Sequence, residues 1–184
     1  MTVLLSLAIA AAVVGEPAPT FTGTDLDGNE VTLPAEGTVV LEWFNPGCPF
    51  VKYAHGDEGP LNGMAQQWTD AGVTWIAINS GAEGNQGTGV ETNRAAATEW
   101  NLQHPIVLDT TGVIGHAYGA TTTPQIAVID DGTLVYWGGL DNAPRGKAPK
   151  TGLVPHAAQA LTDLQEGRAV AVGSSKPYGC SVKY

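Results

Sequence analysis

Only two cysteines, Cys48 and Cys180, and only 8 lysines and arginines occur along the chain. Two cysteines exclude a disulfide framework as the maker of the fold but leave room for one functional thiol pair. Eight basic residues against 18 acidic ones give a formal net charge of −10. That charge repels nucleic-acid phosphates and anionic lipid, so neither is expected as a partner. Charged residues make up 14% of the sequence and hydrophobic ones 43%, a globular balance rather than a disordered one. The sequence also lacks a phosphate-cradling loop, a dinucleotide fingerprint, an H-x-x-x-H metal motif and any internal repeat. No cofactor is expected.

A length of 184 residues suits one domain with a substantial core. The apolar run 3–14, followed by "GEPAP", reads as the h-region of a secretory signal peptide with small residues for cleavage near Ala10–Ala12. It is too short to span a bilayer comfortably. The basic n-region is missing, and the competing reading is a buried N-terminal helix or strand. The expected organisation is therefore a signal peptide over 1–14, a globular domain over 15–166 and a tail over 167–184. Export, periplasmic or extracellular, follows from the first of these.

Alternation and turn chemistry order the rest. Asp27-Gly28 and Asp131-Gly132 predict two hairpins. "TVVLEWF" (38–44) and "VTWIAINS" (73–80) are continuous apolar runs of strand length, buried on both faces. "HPIVLD" is a shorter strand. Helices are predicted after Pro49, over "LNGMAQQWTDAG" with Leu61, Met64, Ala65 and Trp68 on one stripe, over "VETNRAAATEWNL", over "TGVIGHAYGA" and over "VPHAAQALTDLQEG". In the last of these Val154, Ala157, Ala158, Leu161 and Leu164 face inward. "GAEGNQGTG" reads as a mobile Gly-rich loop and "NAPRGKAPKTG" as a basic loop insertion. The fold class is α/β, a sheet covered on both faces.

Cys48 falls where a strand ends and a helix begins. The first helical N–H groups and the helix dipole favour an anion there, which turns an ordinary thiol into a candidate nucleophile. Lys52, one turn on, is available to help. The alternative is an inert buried cysteine, against which the loop-like Pro-Gly-Cys-Pro stands. A second signal is Thr123-Pro124, directly before the strand "QIAVID" and compatible with a cis-proline turn facing the site. His55, His104, His116 and His156 are scattered and read as solvated or capping residues. The tryptophans, Trp43, Trp68 and Trp75 among them, read as packing.

In order, "GEPAPTFTGTDLDGNEVTL", "VVLEWFNPGCPFVK", "VTWIAINS", "AYGATTTPQIAVID" and "DGTLVYWGGLDN" resemble the redoxin branch of the thioredoxin superfamily, which includes the peroxiredoxin-like AhpC/TSA proteins. The terminal "KPYGCSVKY" resembles the tail of a subgroup with a C-terminal Gly-Cys-Ser. The resemblance implies a thioredoxin-like fold, a central mixed β-sheet flanked by helices with an N-terminal β-hairpin and an extended C-terminal tail. It also implies Cys48 as the reactive thiol, Thr123 and Pro124 as the cis-proline segment opposite it, and Cys180 as the candidate resolving cysteine.

Two departures bear on the activity. Asn45 stands where a peroxiredoxin has a Thr or Ser to orient peroxide, and Val51 stands where a C-x-x-C dithiol has its second cysteine. Arg94 and Arg145 are the arginines available to support the thiolate. Thirteen extended residues from Gly167 reach roughly 43 Å, against a radius of gyration of ~16 Å for a domain of this size, so Cys180 can meet Cys48. The expected function is a thiol-dependent oxidoreductase, acting on peroxide or a protein disulfide and recharged by an unidentified thiol reductant. The competing readings are a non-catalytic binding module or copper carrier using Cys48, Cys180 and His55, and a permanent Cys48–Cys180 staple.

Overall fold

Residues 11–184 are described by a computed structural model. Residues 1–10 of the segment 1–14, expected to be a signal peptide, lie outside the described residues. Fourteen regular elements follow in order: β1 Thr22–Thr24, β2 Glu30–Thr32, β3 Thr38–Trp43, α1 Pro49–His55, α2 Met64–Asp70, β4 Thr74–Asn79, α3 Val90–Glu99, β5 Ile106–Leu108, α4 Val113–Tyr118, β6 Thr122–Thr123, β7 Gln125–Asp130, β8 Thr133–Gly138, α5 His156–Gln165 and β9 Cys180–Ser181. Both predicted hairpins form. β1 and β2 pair antiparallel around Asp27-Gly28. β7 and β8 turn through Asp131 and Gly132, whose φ angles of 44° and 77° are those the tight two-residue hairpin turn demands.

The main sheet has the order β5-β4-β3-β7-β8. β3 lies at its centre, parallel to β4 and antiparallel to β7, so the sheet is mixed, as the resemblance implied. Alternation along β3 explains its burial on both faces. Val39, Leu41 and Trp43 join Ile76, Ile78, Ala127, Ile129 and Tyr118 on one face. Val40 joins Trp75, Ile126, Val128, Tyr136, Trp68 and Leu161 on the other. Each such aliphatic side chain, fully buried, stabilises the fold by about 1.5–3 kcal/mol. The α5 stripe matches the sequence pattern at Ala157 and Leu161, with Ala160 buried beside them; Ala158 and Leu164 are only partly covered.

One pairing positions the functional site. At the end of β3, Trp43 stands opposite Gln125, the first residue of β7. The chain leaving β3 toward Cys48 therefore runs beside the chain entering β7 from Thr123 and Pro124. The tail then crosses the outer edge of the sheet, where the Trp137 N–H donates to the Gly173 carbonyl at 3.0 Å and Ser175 Oγ accepts from the Gly139 N–H at 3.0 Å. Covering that edge removes a row of unpaired backbone groups.

Candidate active site

Cys48 caps α1, with Pro49 in the first helical turn. Its N–H donates to the Asn45 carbonyl at 3.0 Å, and its own carbonyl accepts from the Lys52 N–H at 2.9 Å. The side chain is 0% exposed and packs among Phe44, Val51, Ala77, Ala96 and Ile106. Two groups meet its sulfur inside this apolar shell. The Thr123 carbonyl oxygen lies 3.2 Å from Cys48 Sγ, and Cys180 Sγ lies 2.7 Å from it. Both cysteines are free. The Thr123–Pro124 peptide is cis, the form the sequence signal was compatible with.

Cys180 arrives as part of β9. The short ladder β6–β9 is antiparallel and sets Thr123 opposite Cys180 and Thr122 opposite Ser181. The tail packs directly over Cys48. Thr123 is 2% exposed and Pro124 is buried, whereas Cys180 is half-buried. The residue of the pair that reaches solvent is thus the one from the tail.

The two thiols are driven apart in acidity. Burial opposes ionisation of Cys48. The Cys180 thiol, the Thr123 side chain and the backbone N–H groups of Val51 and Cys180 outweigh it, leaving Cys48 below its ordinary value. Cys180 is pushed up to about 11 by its own burial and then by the hydrogen bond to, and charge of, Cys48. Cys48 is thus the more acidic thiol of the pair and Cys180 the less acidic. The pair brings a candidate nucleophile and a second thiol into contact, which is what disulfide formation and opening require.

Asn45 is 2% exposed, and its amide is spent on the loop. Nδ2 donates to the Gln86 carbonyl at 2.9 Å, and Oδ1 accepts from the Gly47 N–H at 2.8 Å. A Cβ on Gly87 would collide with Asn45 Oδ1, so only glycine fits there. The Gly-rich segment, expected to be mobile, is therefore bound down. Besides Asn45, it is held by Asn79 Nδ2 on the Gly87 carbonyl at 2.8 Å and by the Ala82 N–H on the Lys183 carbonyl at 2.7 Å. Composition signals turn propensity, and these long-range partners override it.

Several expected helpers lie elsewhere. Lys52 is exposed. Arg94 pairs with Asp27 at 2.7 Å, and Arg145 lies over the Phe50 ring at 5.4 Å; neither is a thiolate partner. His55 is neither solvated nor a cap. Its Nε2 sits 2.7 Å from Glu42 Oε1, and its ring stacks on Trp100 with Phe44 at its edge. Among the described residues no group of three or more His, Cys, Asp or Glu side chains is arranged to hold a metal ion, so His55 does not complete a copper site with the cysteines. Trp43, Trp68 and Trp75 are buried in the core, as read from the sequence.

The sequence reading missed the Glu42–His55 pair and the tail latch formed by Tyr178, whose hydroxyl donates to Asp141 Oδ1 at 2.6 Å. A lone carboxylate in the apolar run "TVVLEWF" was the available signal for the first. Nothing local signals the second.

The redoxin family model matches residues 13–153, a span that contains Cys48, Thr123 and Pro124 but not Cys180. No curated protein matches. A conserved uncharacterized protein from Geobacillus kaustophilus is 31% identical, with a TM-score of 0.80 over 94% of this chain and 92% of that one. A hypothetical protein from Sinorhizobium meliloti 1021 is 24% identical, with a TM-score of 0.82 over 95% and 96%. Peroxidoxin BcpB from Mycobacterium tuberculosis, at 17% identity, shares the fold with a TM-score of 0.58 over 85% and 99%. No helix among the described residues is long and apolar enough to cross a membrane.

Proposed function

The chain belongs to the redoxin family, and on that premise we propose that it is a thiol–disulfide oxidoreductase whose working unit is the Cys48–Cys180 pair. The family supports a thiol redox role; the assignment of the two cysteines is our reading. The observation that carries it is the 2.7 Å approach of two free sulfurs from opposite ends of the fold. A covalent bond requires only a small further approach, to about 2.05 Å.

In the reduced state the Cys48 thiolate attacks one sulfur of a substrate disulfide, and the other sulfur leaves as a thiolate. Cys180, losing its proton, then attacks Cys48 Sγ in the mixed disulfide, expels the second substrate thiol and closes the internal disulfide. Two electrons pass to the substrate. A thiol reductant reopens the pair. Thr123, with Pro124, holds β9 in register so that the two sulfurs stay aligned, and Asn45 holds the loop that carries Cys48. In this way a tail cysteine stands in for the second cysteine that Val51 replaces.

Peroxide reduction is the less supported branch. Asn45 stands where the peroxide-orienting hydroxyl would be, and both of its polar atoms are already engaged. An exported location for residues 15–184 accords with a cycling dithiol pair, because oxidising compartments preserve disulfides; that part rests on residues 3–14 alone.

The test is turnover of a disulfide substrate by wild type, Cys48→Ser and Cys180→Ser with a thiol reductant supplied. Wild type is expected to turn over, Cys48→Ser to be inactive, and Cys180→Ser to accumulate a mixed disulfide on Cys48. Equal rates in all three proteins would overturn the proposal.

A further inference from the structure

The last seven residues are held at both ends and in the middle. Before Cys180, Tyr178 is fixed by Asp141 at 2.6 Å and packs against Phe50. After it, the Val182 N–H donates to the Thr121 carbonyl at 3.1 Å. The Lys183 carbonyl accepts from the Ala82 N–H at 2.7 Å and from Asn85 Nδ2 at 2.9 Å. Tyr184 donates its hydroxyl to the Ala120 carbonyl at 2.8 Å and stacks on His116 at 4.0 Å. The receiving surface is shaped for this tail. A Cβ on Gly112 would meet the Tyr184 ring and one on Gly115 its hydroxyl, while a Cβ on Gly179 would strike the Thr123 carbonyl.

This resident strand covers the Thr122–Thr123 backbone edge beside Cys48. An extended polypeptide gains affinity at such an edge by adding a strand of its own. Here the Thr122–Thr123 edge is already paired with Cys180–Ser181, and Cys48 and Thr123 are closed to solvent. The half-buried Cys180 is the remaining opening. A small thiol or disulfide needs only a sulfur to attack, not an edge to pair with.

We infer that the docked tail is a specificity element: it admits small thiols and disulfides to the pair and shuts out polypeptide disulfides. The inference rests on the proposed redox role of the pair and adds the substrate class. In the oxidised protein a small thiolate attacks Cys180 Sγ, the bond between the two cysteines breaks, and its electron pair leaves on Cys48. A second small thiol, giving up its proton, attacks the mixed disulfide. The small disulfide departs, and Cys180 takes up a proton. Two small thiols are oxidised and one protein disulfide is reduced. The lowered pKa of Cys48 favours it as the leaving group.

The test uses reduced, full-length protein and measures oxidation of its two thiols by 2-hydroxyethyl disulfide and by insulin. Wild type is expected to react with the small disulfide at least about tenfold faster than with the polypeptide, a gap of roughly 1.4 kcal/mol. Tyr184→Ala combined with Tyr178→Phe is expected to narrow that gap by speeding the insulin reaction. Equal rates in wild type, or a gap that the double variant leaves unchanged, would overturn the inference while leaving the redox role intact. Oxidation by neither compound would remove the redox role itself, and the inference with it. Should the double variant fail to fold, amide exchange in wild type decides. The Ala82 and Val182 amides are expected to be protected in both redox states, and exchange at the unfolded rate in either state would overturn a resident tail.

Discussion

Glu42 is the one charged residue of β3 and is 0% exposed. Burial opposes its ionisation, but the charge and hydrogen bond of His55 outweigh it, helped by His104 and by Trp75 Nε1 on Oε2 at 3.2 Å, so its pKa lies below the ordinary carboxylate value. His104 responds in the opposite sense. Burial dominates, and it titrates at about 4, with Nε2 buried and unpartnered. Both shifts weaken the fold in acid. His104 takes up its proton more readily in the unfolded chain, so its contribution is complete above pH 6.5 and is lost as pH falls from 6.5 to about 4. The Glu42 contribution is present above the unfolded carboxylate value and is lost as pH falls further, through the folded one. Urea unfolding should therefore show stability that drops by on the order of 3 kcal/mol as pH falls from 6.5 to 4. His104→Gln should lose much less over that window; a wild-type profile as flat as the variant's would contradict the assignment.

At the scale of elements the site depends on a two-residue strand. β9 lies against β6 only because Gly179, at φ 145°, brings the chain onto Thr123 without a Cβ. Gly179→Ala should lift β9, separate the sulfurs and slow formation of the internal disulfide by about 100-fold, the usual cost of misplacing reacting groups by an ångström. Its melting temperature should barely change. Alkylation after timed oxidation measures the first and circular dichroism the second; disulfide formation at the wild-type rate would refute the role given to this glycine. The same element shows where sequence reading stops. The hairpins at Asp27-Gly28 and Asp131-Gly132 were legible because turn residues act locally. β9 was not, because two residues carry no alternation to read. The 81–89 loop was misread for a related reason: glycines report freedom of the chain, not the Asn45, Asn79 and Lys183 partners that remove it.

Across the whole molecule the central mixed sheet and the position of Cys48 at the end of β3 followed from apolar runs, turn dipeptides and family resemblance. The meeting of Cys48 with Cys180 did not. Chain reach permitted it, yet the docking depends on Asp141, His116 and Gly115, far from the tail in sequence and unremarkable there. Closing a ring between residues 132 positions apart restricts the unfolded chain by about 5 kcal/mol in the chain-entropy view. A pair so placed can serve as a permanent staple or as a reversible carrier of electrons, and the account holds that it is reversible. The decisive measurement equilibrates the protein across a graded series of reduced and oxidised dithiothreitol, alkylates it, and counts free thiols at Cys48 and Cys180 by mass spectrometry. The account predicts that both disappear together, in one reversible two-electron step, into an intramolecular disulfide. Either cysteine remaining alkylable alone, or a bond that forms and never reopens across the series, would contradict it.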